Sequence, residues 1–169
     1  MSSRTIALGA VTKGFDLKEH VREQLNNQGH SVLDIGCFSK DKFVTYTSIG
    51  EAIAHTLHTG DADFGVFICN YGTSSSVGVS KFQSVCSISC ESVATAQAAR
   101  KVNNANVLCM GASVVSPELA CEMVNEFIGA EFLDIPGVPE KLRDFRKQAS
   151  EQAMLRGEIP ASRELRGFE

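Results

Sequence analysis

The stretch that decides the fold runs Phe64-Gly65-Val66-Phe67-Ile68-Cys69-Asn70-Tyr71-Gly72-Thr73-Ser74-Ser75-Ser76. From Phe64 to Cys69 it is almost wholly apolar and lacks the polar alternation of a half-buried strand. A central parallel strand, covered on both faces, reads this way. From Asn70 to Ser76 the side chains become small and hydroxylated, as in a loop that joins such a strand to a helix.

Working outward, short β-branched runs alternate with longer helical periodicities. Thr5 to Leu8 reads as a strand closed by Gly9, and Phe15 to Gln28 repeats Phe15, Leu17, Val21 and Leu25 before Gly29. Ser31 to Ile35 is the next strand, stopped by Gly36. Ser48 to Leu57 places Ile49, Ala52, Ile53 and Leu57 on one face, and Gly60 ends it. Beyond the loop, the pattern predicts a short helix over Val77 to Lys81, a strand over Val85 to Ile88, a helix over Ser92 to Val102 and a strand over Val107 to Met110. Ser116 is then an N-cap with Pro117 at the first helical position of a helix reaching Gly129. A charged helix from Pro139 to about Arg156 follows the Pro136-Gly137 break. The alternation implies a single-domain α/β architecture, a three-layer Rossmann-like fold with a five-stranded parallel sheet. Residues 1–135 form that domain and residues 136–169 a C-terminal helical tail. The tail has little core of its own, so it is expected to extend to a neighbouring subunit.

Composition narrows the function. The 169 residues carry a formal net charge of −4, with a pI near 5.6, and offer no concentrated basic face for nucleic acid. The apolar runs are far below the ~18 residues that would span a bilayer, and Met1 to Ala10 lacks a signal-peptide layout, so a cytoplasmic protein without a membrane or nucleic-acid partner is expected. Six cysteines stand at Cys37, Cys69, Cys86, Cys90, Cys109 and Cys121. With no CxxC pair, and no histidine near Cys86 and Cys90, neither a disulfide framework nor a metal site is expected.

In a wound parallel sheet, ligands bind outside the carboxyl ends of the strands. The loops after Gly9, Gly36, Cys69, Ser89 and Gly111 are therefore the candidates, and Asn70 to Ser76 is the richest. Its backbone N–H groups can approach a phosphate or an oxyanion, although a Ser-rich turn that merely caps a helix has the same composition. It is neither a Walker A loop nor a GxGxxG fingerprint. Cys69 at a buried strand end is either a core residue or a base. His20, His30, His55 and His58 read as surface or capping residues, and Arg143, Arg146 and Lys147 as a solvated face or a phosphate contact.

Several pieces in order make the chain resemble a known family. They are Ile6-Ala7-Leu8-Gly9, Gly14-Phe15-Asp16-Leu17-Lys18, Gly29-His30, Val32-Leu33-Asp34-Ile35-Gly36, Gly65-Val66-Phe67-Ile68-Cys69, Lys81, Asn103-Asn104-Ala105-Asn106-Val107-Leu108 and Met110-Gly111-Ala112. Over roughly residues 4 to 135 the chain resembles the type B ribose-5-phosphate isomerases and the two subunits of galactose-6-phosphate isomerase. The resemblance implies aldose-ketose isomerisation of a sugar phosphate through an enediolate, with no cofactor. It puts Cys69 at the position of the cysteine base of one branch and Ser75 where another branch carries a glutamate. It also implies catalytic duty for Thr73 on the oxyanion loop, and substrate contacts for Asn70, Tyr71, Gly72, Ser74, Ser75, Ser76, Asn103, Arg143 and Arg146.

The departures point to altered specificity. The family's Asp-His pair after the first strand is Val11-Thr12 here, its ring-opening histidine is Val102, an arginine is missing near Ser113, and the Gly-Gly-Arg-His tail is absent from Leu133 to Pro139. Valine cannot shuttle protons. Three readings follow: an isomerase whose substrate differs from ribose 5-phosphate and is already open-chain, a subunit completed by a homologous partner, and a sugar-phosphate-binding protein without turnover. A homodimer or homotetramer, or pairing with a homologous second subunit, is expected.

Overall fold

The computed structural model describes residues 3–155. Five strands form one sheet: β1 (Thr5–Ala10), β2 (Ser31–Gly36), β3 (Phe64–Cys69), β4 (Ser87–Ser89) and β5 (Val107–Gly111). Their order is β2-β1-β3-β5-β4, and every neighbouring pair is parallel. The connecting helices are α1 (Phe15–Asn27), α2 (Tyr46–Thr59), α3 (Thr73–Val79), α4 (Val93–Asn103) and α5 (Pro117–Gly129), followed by α6 (Glu140–Leu155). The three-layer Rossmann-like architecture read from the alternation is the one observed.

The period of two in the strands sorts the core into two layers. Ile6, Leu8, Val66, Ile68, Leu108 and Met110 point to one side, where Leu17, Val21 and Leu25 of α1 and Val124 and Phe127 of α5 cover them. Ala7, Phe67, Val107 and Cys109 point to the other and meet Ile49 and Ile53 of α2 and Val79 of α3. All residues of β3 and β5 are buried, which explains why neither shows polar alternation. The predicted N-cap at Ser116 is present, its hydroxyl accepting from Leu119 N at 3.2 Å with Pro117 next in line.

Two elements differ in their bounds from expectation. Helix α3 starts at Thr73 rather than Val77, because Gly72 adopts a left-handed conformation (φ +83°) and turns the chain into a helix at once. Strand β4 is Ser87–Ser89, not Val85 to Ile88. Cys86 N is instead held by Asn106 Oδ1 at 2.8 Å, and this side-chain contact delays the ladder. Helix α6 also contacts its own chain: Asn104 Nδ2 donates to Ser150 Oγ at 3.0 Å and Ser84 N to Met154 O at 3.0 Å. The expected end of this helix near Arg156 and the rest of the tail to residue 169 lie outside the described residues. No helix among the described residues is long and apolar enough to cross a membrane.

Candidate active site

Cys69 closes β3 at the carboxyl edge of the sheet and is 3% exposed. Its backbone carbonyl accepts from Ala112 N at 2.8 Å, while Ser113 N donates to Asn70 O at 2.9 Å and Ser113 Oγ to Asn70 Oδ1 at 2.6 Å. The start of the loop is thereby stitched to the segment that leaves β5. Two glycines permit this. A Cβ on Gly111 would lie 2.5 Å from the carbonyl carbon of Tyr71, and one on Gly72 would lie 2.6 Å from Ser89 Oγ.

The turn aims donors at the thiol. Gly72 N–H donates to Cys69 Sγ at 3.0 Å, and Ser75 Oγ lies 3.4 Å from the same sulfur. Burial opposes ionisation of Cys69. Against it stand hydrogen bonds from the Ser75 hydroxyl and from the amides of Ser75, Tyr71 and Gly72, which together hold the thiol below its usual range. The other perturbed thiols go the opposite way: burial pushes Cys86, Cys90, Cys109 and Cys121 up. Among these perturbed thiols Cys69 is the one shifted toward the thiolate, the form that can accept a proton.

The sequence-derived candidates divide between two edges of the molecule. Asn70, Tyr71, Gly72, Thr73, Ser74 and Ser76 gather around Cys69, with Tyr71, Thr73 and Ser74 exposed. Ser75 is in the same place but wholly buried, with its hydroxyl turned to Gly72 O and the thiol. Asn103 is exposed at the end of α4, just ahead of β5, and its carbonyl is 3.6 Å from Cys86 Sγ at the entry to β4. That is the amino edge of the sheet, one strand length from Cys69, about 16 Å for β3. Arg143 is there too. Its guanidinium donates to the carbonyls of Leu133 (2.9 Å), Ile135 (3.0 Å) and Val138 (3.2 Å), and Leu133 N in turn donates to Lys101 O. Arg146 shares α6, with Nη1 enclosed and without a hydrogen-bond partner among the described residues.

The positions of the missing family groups are occupied structurally. Val11 packs at the margin of the second core layer and donates its N–H to Ile68 O at 3.0 Å, while Thr12 Oγ1 is 3.3 Å from Lys42 O. His30 is nearly buried, and its Nδ1 accepts from Arg4 N at 3.1 Å, a structural role at the amino edge. Ser113 and Gly111 have no site role in the sequence reading beyond the candidate loop after Gly111. The one signal for them is their place just after a buried strand. Among the described residues no three His, Cys, Asp or Glu side chains come together to hold a metal ion.

The model of the Ribose/Galactose Isomerase family matches residues 6–139. D-erythrulose-4-phosphate isomerase of Pectobacterium atrosepticum is 30% identical over 88% of this chain and 99% of its own length. 4-Deoxy-4-sulfo-D-erythrose isomerase of a Clostridium species is 27% identical over 87% and 91%. Among solved structures, ribose-5-phosphate isomerase B of Clostridium thermocellum superposes with a TM-score of 0.78 at 26% identity, covering 88% of this chain and 96% of that one.

Proposed function

Since the chain belongs to the ribose/galactose isomerase family, we propose that it interconverts the aldose and ketose forms of a four-carbon sugar phosphate, with Cys69 as the base. The thiolate takes the proton from the carbon beside the carbonyl and the C–H electron pair passes into an enediolate; the hydroxyl proton passes from one enediolate oxygen to the other, and the same thiol returns its proton to the neighbouring carbon. Loop amides between Tyr71 and Ser76 steady the oxyanion, and the exposed hydroxyls of Thr73 and Ser74 are assigned to the substrate oxygens.

The observation that carries this reading is the pairing of a depressed Cys69 thiol with Val11 and Val102 at positions where the family has polar groups. A pentose 5-phosphate closes to a furanose through its free 4-hydroxyl and must be opened before isomerisation. A tetrose 4-phosphate cannot close that ring, because the oxygen that would attack the aldehyde is esterified. Valine at the ring-opening position costs such a substrate nothing. Two relatives named for four-carbon substrates altered at carbon 4 support the same class.

The test is a comparison of the purified chain on D-erythrose 4-phosphate and D-ribose 5-phosphate, followed by deuterium uptake at carbon 2 from heavy water. The expected outcome is a kcat/KM at least about a hundredfold higher for the tetrose, equal to roughly 2.7 kcal/mol of transition-state preference. Equal turnover of both sugars would overturn the reading.

A second feature concerns assembly. Asn103, Arg143 and Arg146 lie together on the edge opposite Cys69, so one chain cannot bring them to its own thiol. We assign their substrate contacts to the site of a second copy or a homologous subunit, where the amino edge of one chain meets the carboxyl edge of the other.

A further inference from the structure

Ser75 Oγ is 2.7 Å from Gly72 O and 3.4 Å from Cys69 Sγ, and the residue has no exposed surface. A hydroxyl owns one hydrogen and can give it to only one of these acceptors at a time. Gly72 N–H, by contrast, is a backbone donor on the sulfur at 3.0 Å and has no rotor to turn.

We propose that Ser75 is a positioning residue whose hydroxyl turns between Gly72 O and Cys69 Sγ as the thiol gains and loses its proton. When Cys69 is a thiolate, the Ser75 hydrogen points at sulfur and adds a second donor to the Gly72 amide. When the thiolate has taken the substrate proton, the C–H bond is broken, the S–H bond is formed and the electron pair sits in the enediolate. The Ser75 hydrogen then returns to Gly72 O, which keeps it satisfied without competing for the new S–H. Delivery of that proton to the adjacent carbon reverses the turn. No net electron or proton is required from outside the site.

Two further facts favour this role. The groups that lower the Cys69 thiol are all hydrogen-bond donors, and no lysine, arginine or histidine is among them, so the hydroxyl does work that a cation would otherwise do. The titratable neighbour of the sulfur is Cys109 on β5, which the Ser75 hydroxyl also reaches, and Cys90 after β4 lies beyond it against Cys109. Burial raises both, so they stay neutral and place no competing anion beside the sulfur. The inference rests on the reading of Cys69 as the base, but the decisive readout needs no sugar.

The experiment follows alkylation of Cys69 by iodoacetamide as a function of pH, resolved from half-buried Cys86 by peptide mass spectrometry. It uses the full chain and its Ser75→Ala, Ser75→Gly and Ser75→Thr variants. Both hydroxyl-free variants are expected to shift the midpoint upward, giving roughly fivefold slower alkylation at pH 7 with an unchanged plateau at high pH. Ser75→Thr restores the wild-type midpoint. In turnover, Ser75→Ala lowers kcat near neutrality, recovers at alkaline pH and leaves KM within about twofold. Thermal unfolding identifies which of the two hydroxyl-free variants folds as the wild type does, and that variant decides. A midpoint equal to wild type in it overturns the proposal. A shifted midpoint in a chain that isomerises no sugar keeps the rotor and removes the proposed function, so the two failures are separable.

Discussion

Lys18 Nζ lies 2.7 Å from Asp34 Oδ1 and 2.5 Å from Oδ2, with the lysine side chain wholly enclosed between α1 and the end of β2. A buried ammonium is tolerated only when paired and hydrogen-bonded. Glu19 at 3.0 Å and the rings of Phe15 and Phe38, 5.6 and 5.5 Å from Nζ, complete its surroundings. Asp34 also accepts from Gly36 N at 3.0 Å, so the pair fixes the carboxyl end of β2.

Removing one partner leaves an uncompensated charge. Asp34→Ala is expected to cost about 3 kcal/mol, the low end for a broken buried pair because Glu19 remains. For a chain of this size that lowers Tm by roughly 6–12 °C. The double variant Lys18→Met with Asp34→Leu should recover most of the loss. Differential scanning calorimetry on the three proteins decides whether charge pairing or packing holds this corner.

The approach of Gly111 to Tyr71 makes a second test. A methyl at Gly111 would sit 2.5 Å from the Tyr71 carbonyl carbon and 2.6 Å from its Cα, and backbone cannot rotate away as a side chain can. Gly111→Ala should therefore displace the loop at a stability cost of about 1–3 kcal/mol. Because Gly72 N–H and the Ser75 hydroxyl move with the loop, kcat should fall at least about tenfold. A variant with unchanged kcat would separate loop position from catalysis.

These residues also mark what the sequence makes readable. The run Phe64 to Cys69 identifies the central strand because burial on both faces writes itself as continuous apolarity, and Ser116-Pro117 announces a helix start by local chemistry alone. The start of α3 does not, since serines are weak helix formers and the decision rests with Gly72, whose conformation is set by packing against Gly111 far along the chain. That shift also moves Ser75: with a helix beginning at Val77 it falls in the substrate loop, whereas with Thr73 as the first residue it sits in a turn facing β3. Asn103 lies apart from Cys69 of its own chain for a topological reason. Each helix of a parallel sheet returns the chain to the amino edge, so the end of α4 lies away from the end of β3.

The pH dependence follows from the direction of the Cys69 shift. Burial alone would raise the thiol, but the Ser75 hydroxyl and the Ser75, Tyr71 and Gly72 amides outweigh it and lower it. The active form is the thiolate, so kcat/KM should rise with pH through that lowered pKa and level off above it, with the rise centred below that of an unperturbed thiol. Cys69→Ala should reduce kcat by about 10²–10⁴ and abolish the rising limb. A profile whose acid limb survives in the alanine variant would assign the proton transfer to another group.

The separation of Cys69 from Asn103 and Arg143 makes a prediction about mixed assemblies. If the carboxyl edge of one chain is completed by the amino edge of another, Cys69→Ala and Asn103→Ala damage different halves of a shared site. Each variant alone should be impaired, the first severely. Mixing them in equal amounts through unfolding and refolding, with two-fold pairing, makes half of the dimers mixed. Each mixed dimer then holds one site with both lesions and one with none, which restores roughly a quarter of the wild-type sites. Arg143→Ala enters the same cross if its donors leave the Leu133, Ile135 and Val138 carbonyls when a substrate phosphate is present. Activity of the mixture at or below the mean of the two separate variants would place each site within one chain and remove Asn103 from it.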